Sequence, residues 1–395
     1  MEGEEKNRIA RALTPRVRSH SRDDKLHDLR LLLKIRALDE SARSLSDQCR
    51  ARTLTLSRLS RFSSSNPMKF LASLSLATVV GLIALLGPGC SKNPESGAGA
   101  TGAAAKKLTI AVIPKATTHS YWKAAQAGAE RAAKELGVTI EWQGPLDDSK
   151  VADQIGIFNN LAASGVDGIV LAPCDDRALV SPVRTVTRRG IPVAIFDSPL
   201  EGKAGTDYVN FVATDNKQAG AIAATELAKL VTAPAYGGRV LVVRFTEGSA
   251  STRLREQGFT ETLAAEGKLK IEAQQFTDGS LAGAQRVAET LLGNFVRNNT
   301  LELDGIFASN QATAEGTYNA VKSLRDKGVV VKAPFVGFDD SELLIQGLQN
   351  GVIQALVVQD PDRMGYLAVK SVVDFIQKKP VEAYVDTGVT VKRKP

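Results

Sequence analysis

The feature that most constrains this chain is a repeated alternation of short apolar runs with longer stretches of helical periodicity. The first apolar run, Leu108–Ile113, is rich in β-branched residues and leads through a polar loop into a helical pattern, which is typical of a buried strand followed by a helix. The same arrangement recurs to the end of the chain. Alternating strands and helices form a mostly parallel sheet, with the ligand site outside the carboxyl ends of the strands. The sequence therefore predicts the α/β class.

The alternation is long enough to build two doubly wound parallel sheets, one before and one after about Ala213. The predicted strands are 108–113, 138–142, 168–172, 193–196, 208–213, 239–245, 270–275, 305–308, 335–338, 355–358 and one near Val389. The predicted helices are 121–136, with Gly137 as its C-cap, 151–163, 178–189, 216–230, 253–265, 280–297, 312–327, 342–350 and 363–377.

The positive charge of the chain lies outside this α/β region. The formal net charge is +7, and residues 1–67 hold 15 Lys and Arg against 9 Asp and Glu. Residues 68–395 are therefore nearly neutral and lack the positive field that attracts nucleic acid. We expect no nucleic-acid partner.

A secretory signal is predicted at residues 68–90. Met68 and Lys69 begin an uncharged apolar run that ends at Cys90, and this run is at the lower limit of what spans a bilayer as an anchor. Its Pro-Gly-Cys end resembles the lipoprotein cleavage box of bacteria, in which the cysteine carries the lipid. Residues 91–106 are predicted to be a flexible tether. Residues 1–67 are interpreted as a disordered or wrongly assigned extension.

Few residues of the α/β region suit catalysis or metal binding. Its one histidine is His119 and its one cysteine is Cys174, which we interpret as a free thiol. The region carries no H-E-x-x-H, CxxC, Walker or G-x-S-x-G motif. We expect no metal, no cofactor and no catalytic residues.

Polar or aromatic side chains follow the predicted strands at positions where a neutral, hydroxylated ligand would be bound. They are His119 and Trp122, Asp197, Arg253, Asn310, Asp339 and Gln359. Carboxylates, amides and guanidinium groups exchange hydrogen bonds with adjacent hydroxyls, and an aromatic face covers the C–H face of a sugar ring. Singly, each has an ordinary alternative as a helix cap, a core residue or a surface ion pair. Together they predict a shared sugar-binding cleft.

From about Lys107 to its end, the chain resembles the ribose-type periplasmic sugar-binding proteins of ABC importers, which share their fold with lactose-repressor-type regulators. The segments that carry the resemblance are IAVIPKATTHSYWKAAQAGAERAAKELG, IPVAIFDS, VATDNKQAG, SASTRLREQGF, FASNQATAEG, VGFDD and VVQDPDRMG. The resemblance implies a ligand-binding set of His119, Tyr121, Trp122, Asp197, Asn216, Arg253, Asn310, Asp339 and Gln359.

The resemblance also implies an architecture and a function. It implies two domains joined by a three-strand hinge, residues 107–214 with 360–386 and residues 215–359 with 387–395. It further implies a periplasmic or cell-envelope monomer, lipid-anchored at Cys90, that closes on a monosaccharide and delivers it to the permease and ATPase subunits of an ABC importer. Ser198 replaces an arginine that grips ribose, and His119 and Trp122 replace the usual Asn and Phe. These departures favour a different, larger monosaccharide than ribose.

Three alternatives stay open at this point. A sensor that passes a sugar signal to a membrane receptor would have the same cleft. A transcriptional regulator would need a helix-turn-helix directly before the sugar domain, where this chain has a signal and a tether. An enzyme acting on the sugar would need an acid and a base, for which Asp197 and Asp339 are the candidates, and their separation in space would decide.

Overall fold

Short parallel strands and their connecting helices dominate the computed structural model, which describes residues 107–394. The strands are β1 Thr109–Ile113, β2 Thr139–Trp142, β3 Gly168–Leu171, β4 Val193–Phe196, β5 Phe211–Ala213, β6 Arg239–Arg244, β7 Lys270–Phe276, β8 Val296–Arg297, β9 Thr300–Leu301, β10 Gly305–Ala308, β11 Phe335–Phe338, β12 Ala355–Val358, β13 Tyr384–Asp386 and β14 Thr390–Arg393. The helices are α1 Ser120–Leu136, α2 Val151–Ala163, α3 Val180–Arg188, α4 Asn216–Leu230, α5 Ala250–Glu266, α6 Leu281–Gly293, α7 Gln311–Asp326, α8 Glu342–Gln349 and α9 Pro361–Ile376.

Twelve of the fourteen described strands form two sheets with the same internal order, and β8 and β9 form a separate hairpin. The first sheet runs β13-β5-β4-β3-β1-β2 and is parallel throughout. The second runs β14-β12-β11-β10-β6-β7, and its edge strand β14 is antiparallel. Without the edge strands β13 and β14, both follow the doubly wound order 2-1-3-4-5, in which ligands bind outside the carboxyl ends of the strands. The predicted α/β class with two doubly wound sheets is confirmed.

The chain passes between the two sheets three times. It leaves the first sheet after β5, returns after β12 to place α9 and β13 there, and leaves again to form β14. Helix α9 packs against α1 and against strands of the first sheet, and contributes Met364, Val369 and Val372 to their shared core. The last segment of the chain therefore contributes one edge strand to each sheet.

Burial on both faces explains why the central strands read as continuous apolar runs. All four residues of β3, β4, β10, β11 and β12 are buried, as expected for parallel strands covered by helices on both faces. Each sheet has a hydrophobic core on both sides. The polar residues that follow these strands therefore lie at the ends of the hydrophobic cores.

A pair of glycines allows helices α4 and α5 to approach closely. A Cβ added at Gly220 of α4 would lie 1.9 Å from the carbonyl oxygen of Arg255 on α5. A Cβ added at Gly258 of α5 would lie 1.9 Å from the carbonyl oxygen of Lys217 on α4. A side chain at either position would therefore force α4 and α5 apart.

Apart from shifts of up to three residues at the ends of elements, the observed elements differ from the predicted ones at two places. The predicted helix 280–297 ends at Gly293, and the β8–β9 hairpin follows it. Asn298 and Asn299 form the turn of this hairpin with φ of 46° and 58°, a conformation that asparagine tolerates and a helix cannot contain. Strand β13 was not predicted. The predicted C-cap Gly137 is confirmed, with φ of 69°.

Within residues 107–394, no helix is both long and apolar enough to cross a membrane. The predicted extension, signal and tether, residues 1–67, 68–90 and 91–106, lie outside the described residues.

Candidate functional site

Loops at the carboxyl ends of both sheets line a shared cavity. Seven of the predicted ligand-binding residues line it: His119, Tyr121, Trp122, Asp197, Asn310, Asp339 and Gln359. Nine further lining residues were not predicted: Lys115, Asp148, Phe245, Ser249, Ser251, Thr252, Arg255, Gln311 and Ala312. Asn216 lies behind the cavity wall, and Arg253 lies outside it.

Asp197 is the centre of the network on the first sheet. It follows β4, is buried, and accepts hydrogen bonds from the Tyr121 hydroxyl at 2.6 Å and from Lys115 Nζ at 2.8 Å. Burial raises the pKa of the Tyr121 phenol well above its ordinary value, and the nearby Asp197 and Asp339 raise it further. Tyr121 is therefore a neutral donor that holds Asp197 in place.

Lys115 supplies the positive charge beside Asp197. Ser198, which stands where the ribose pattern has an arginine, accepts a hydrogen bond from the Ser251 N–H at 3.2 Å. The positive charge instead comes from the loop after β1, because Lys115 reaches both Asp197 and, at 3.1 Å, the Ser251 hydroxyl.

Asp339 occupies the equivalent position on the second sheet. It follows β11, accepts from Gln359 Nε2 at 2.9 Å and from the Gln311 N–H at 3.1 Å. Burial raises its pKa to about 6, against the opposing effect of Arg255. The two oxygens of Asp339 therefore each have a fixed protein partner before any ligand contact is made.

Both aspartates adopt an uncommon backbone conformation. Asp197 has φ of 62° and Asp339 has φ of 68°, in the left-handed region that few residues other than glycine enter. Each still donates its N–H to the neighbouring strand, Asp197 to the Val212 carbonyl at 3.0 Å and Asp339 to the Val357 carbonyl at 2.9 Å. Such strain persists where the surroundings fix it and is concentrated at functional sites.

Arg255 carries the guanidinium of the cleft. It is buried, and it donates from Nε to Asn216 Oδ1 at 2.7 Å, from one terminal nitrogen to the Ser309 carbonyl at 3.0 Å and from the other to Gln359 Oε1 at 2.7 Å. A guanidinium has five N–H donors, so two remain for a ligand. Asn216, a predicted contact, thus lies in the layer behind the cleft and orients Arg255.

Arg253, the predicted binding arginine, is not among the residues that line the cavity in this structure. Arg253 contacts Asp176 and the Glu247 carbonyl and is turned away from the cavity. Residues two apart on a helix point about 200° apart, so Arg253 and Arg255 cannot both face the cleft. The sequence signal that could have identified Arg255 is Gly258. It lies three residues after Arg255 and so on the same face of α5 as Arg255.

Aromatic side chains cover the apolar part of the cavity. The rings of Trp122 and Tyr121 meet edge to face with centroids 5.0 Å apart, and Trp122 meets Phe196 in the same way at 6.0 Å. Phe245 adds a further aromatic residue from the end of β6. This packing holds Trp122 rigidly against the core beside the cavity.

Contacts between the two sides close the cleft in this structure. Gln311 Oε1 accepts from the Ser120 hydroxyl and the Tyr121 N–H, each at 3.2 Å, so the start of α7 is joined to the start of α1. The Ser251–Ser198 and Arg253–Asp176 contacts join the two sides at another edge. The cavity is therefore bounded on both sides by polar bridges.

Other chemistry is poorly supported by these side chains. In residues 107–394, no group of three or more His, Cys, Asp or Glu side chains is placed to hold a metal ion. Cys174 is buried, and burial raises the pKa of its thiol well above its ordinary value, which disfavours a reactive thiolate.

Comparison with known proteins identifies the family. Residues 110–380 match the family described as periplasmic binding protein domain. The D-allose-binding periplasmic protein of Escherichia coli K12 is 28% identical over 268 residues, which cover 67% of this chain and 83% of that protein. The ribose import binding protein of Bacillus subtilis 168 is 26% identical over 320 residues, which cover 80% of this chain and 98% of that protein.

Solved structures share the fold. A carbohydrate transporter solute binding protein from Agrobacterium radiobacter, in complex with D-arabinose, has a TM-score of 0.67 and 32% identity, covering 73% of this chain and 95% of that one. An ABC transporter solute binding protein from Agrobacterium vitis, with bound D-fucose, has a TM-score of 0.67 and 34% identity, covering 72% and 95%. Because the family match spans more than half of the chain, the chain belongs to the periplasmic binding protein family.

Proposed function

We propose that this protein binds a monosaccharide in the cleft between its two sheets, outside the cytoplasm, and delivers it to an ABC-type importer. The observation that carries the proposal is the cavity between the two sheets, in which Asp197, Asp339 and Arg255 are held by partners from the surrounding elements. A monosaccharide offers hydroxyls that both donate and accept and a C–H face for an aromatic ring. The role is that of a binding protein and not of an enzyme, in agreement with the relatives named above.

The three passages between the sheets support a two-domain hinge mechanism. One domain would comprise residues 107–214 with 360–386, and the other residues 215–359 with 387–395. A ligand that contacts both domains favours closure because it binds the closed arrangement more tightly than the open one. The predicted ligand set, with Arg255 in place of Arg253 and Asn216 as its support, supplies contacts from both.

The partners follow from this role. A binding protein has no transport machinery of its own, so the permease and ATPase subunits of the importer must be separate chains. We further propose that the protein acts as a monomer held at the cell envelope by a lipid on Cys90. Metabolic labelling with a fatty acid should mark the wild-type chain and fail to mark a Cys90→Ser variant, whereas equal labelling of both would contradict the anchor.

The binding proposal is tested by calorimetric titration of the full-length chain with pentoses, hexoses and polyols, and with nucleosides and amino acids as controls. We expect saturable binding of one or a few monosaccharides. A ligand present at about 100 times its dissociation constant should also raise the free energy of unfolding by about 2.7 kcal/mol. Binding of nucleosides or amino acids alone, or of none of these compounds, would contradict the proposal.

A further inference from the structure

Asp148 is a buried carboxylate that takes no part in the hydrogen-bond networks described above. It lies in the loop between β2 and α2, lines the cavity and is 7% exposed. Within the described residues its Oδ1 has no hydrogen-bond partner, and its Oδ2 lies 3.8 Å from His119 Nε2. Because a buried polar atom without a partner costs free energy, such an atom at a binding site calls for a partner from outside the chain.

The loop that carries Asp148 is fixed to the loop that carries His119. The Thr117 hydroxyl donates to the Pro145 carbonyl at 3.2 Å, and the Thr118 hydroxyl donates to the Leu146 carbonyl at 3.1 Å. Two hydroxyl-to-carbonyl bonds therefore join the loop after β1 to the loop after β2. The Oδ1 atom of Asp148 is therefore held in position without a hydrogen-bond partner among residues 107–394, which is the expected arrangement for a group that binds a ligand.

Neither Lys115 nor His119 forms a hydrogen bond with Asp148 Oδ1. Lys115 is bound to Asp197 and to the Ser251 hydroxyl. His119 lies on the side of Oδ2, at a distance longer than a hydrogen bond. Oδ1 is thus left as an unpartnered acceptor of a residue that lines the cavity together with Lys115 and His119.

We infer that Asp148 is a specificity-determining residue, whose Oδ1 accepts a hydrogen bond from a ligand hydroxyl at the His119 end of the cavity. The inference rests on the proposed function and narrows the ligand class to monosaccharides with a free hydroxyl at that position. The analogue that lacks this hydroxyl is rejected, because it would leave the carboxylate buried without a donor.

The test is a thermodynamic cycle on the full-length chain, measured by calorimetric titration. The probes are D-ribose, D-arabinose, D-allose, D-glucose and D-galactose, each with its monodeoxy analogues, and the proteins are wild type, Asp148→Ala and Asp148→Asn. For the sugar that binds, we expect wild type to bind one deoxy analogue about 10- to 100-fold more weakly than the parent. Asp148→Ala should bind the parent weakly and no longer distinguish it from that analogue.

Controls separate the possible failures. Asp153→Asn changes an exposed carboxylate in the first turn of α2 and should bind as wild type does. Asp148→Asn keeps the shape of the side chain, so its weaker binding cannot be assigned to misfolding if its thermal transition is unchanged. Unchanged discrimination in Asp148→Ala would overturn this inference alone. No binding of any probe to the wild-type chain would overturn the proposed function with it.

Discussion

Arg255 and Arg253 are two residues apart on one helix and face different surroundings. Arg255 is 2% exposed and donates to three protein acceptors, and two of its five N–H donors have no hydrogen-bond acceptor within residues 107–394. Arg253 is partly exposed and forms an ion pair with Asp176 across the edge of the cleft. We therefore propose that the two side chains contribute to different properties, Arg255 to ligand binding and Arg253 to the closed edge.

Replacement of each arginine by alanine should separate these contributions. Arg255→Ala removes a charged donor and leaves the Asn216 and Gln359 oxygens without a partner, so we expect ligand affinity to fall by about 1.5–3 kcal/mol or more. Arg253→Ala removes a partly exposed ion pair worth about 0–1 kcal/mol. Calorimetric titration with the monosaccharide that binds is the measurement. Equal losses in the two variants would contradict the assignment of Arg255 to the cleft.

How far single residues could be predicted depended on what fixes them. Asp197 and Asp339 follow buried strands directly, and a strand end fixes the position of the next residue, so the sequence was enough to predict that both line one cavity. Arg255 sits on a helix, where a choice between two arginines depends on the rotation of that helix against α4. Lys115 and Asp148 lie in loops whose path is set by hydrogen bonds that the sequence does not display.

At the scale of elements, the α4–α5 pair positions Arg255. The helices meet through Gly220 and Gly258, each under the backbone of the partner helix. Asn216, at the start of α4, accepts the Arg255 Nε hydrogen bond. Close packing of the two helices therefore sets the distance between the guanidinium and its orienting amide.

A methyl group at this contact should disturb both stability and binding. Gly220→Ala would place a Cβ 1.9 Å from the Arg255 carbonyl oxygen, and such overpacking costs about 1–3 kcal/mol. Gly156→Ala is the matched control, since Gly156 lies in helix α2 with no atom near its added Cβ and should gain about 0.5–1 kcal/mol. Thermal unfolding should show shifts of opposite sign. A Gly220→Ala variant as stable as wild type would show that the two helices can move apart.

The sequence predicted regular elements better than local turns. Central strands such as β10 and β11 were placed to the residue, because burial on both faces makes them continuous apolar runs. The β8–β9 hairpin was missed, since it consists of two short strands around Asn298 and Asn299 and carries little periodicity. Strand β13 was missed for a similar reason: its three residues lie at a sheet edge, where one side is exposed.

At the scale of the whole molecule, closure brings carboxylates from both sheets into one cavity. Burial raises the pKa of Asp148 to about 6, opposed by Lys115 and His119 and reinforced by Asp197 and Asp147. Burial raises the pKa of Asp339 to about 6, opposed by Arg255 and Gln359 and reinforced by Asp197 and Asp340. In an open, hydrated cleft both values should return toward about 3.9. The closed arrangement therefore binds protons more tightly than the open one.

The sign of the pH effect on closure follows from this difference. A raised pKa stabilises the closed, ligand-free arrangement below about pH 4, and that stabilisation is lost as the pH rises through about 6. We therefore expect the ligand-free protein to be more open at pH 7.5 than at pH 5, with a larger radius of gyration in small-angle X-ray scattering. Bound sugar should remove the difference, because its hydroxyls donate to the ionised carboxylates in place of water. The Asp148→Asn, Asp339→Asn double variant should show no such pH dependence. An equal radius of gyration for ligand-free wild type at both pH values would mean that protonation of Asp148 and Asp339 does not control closure.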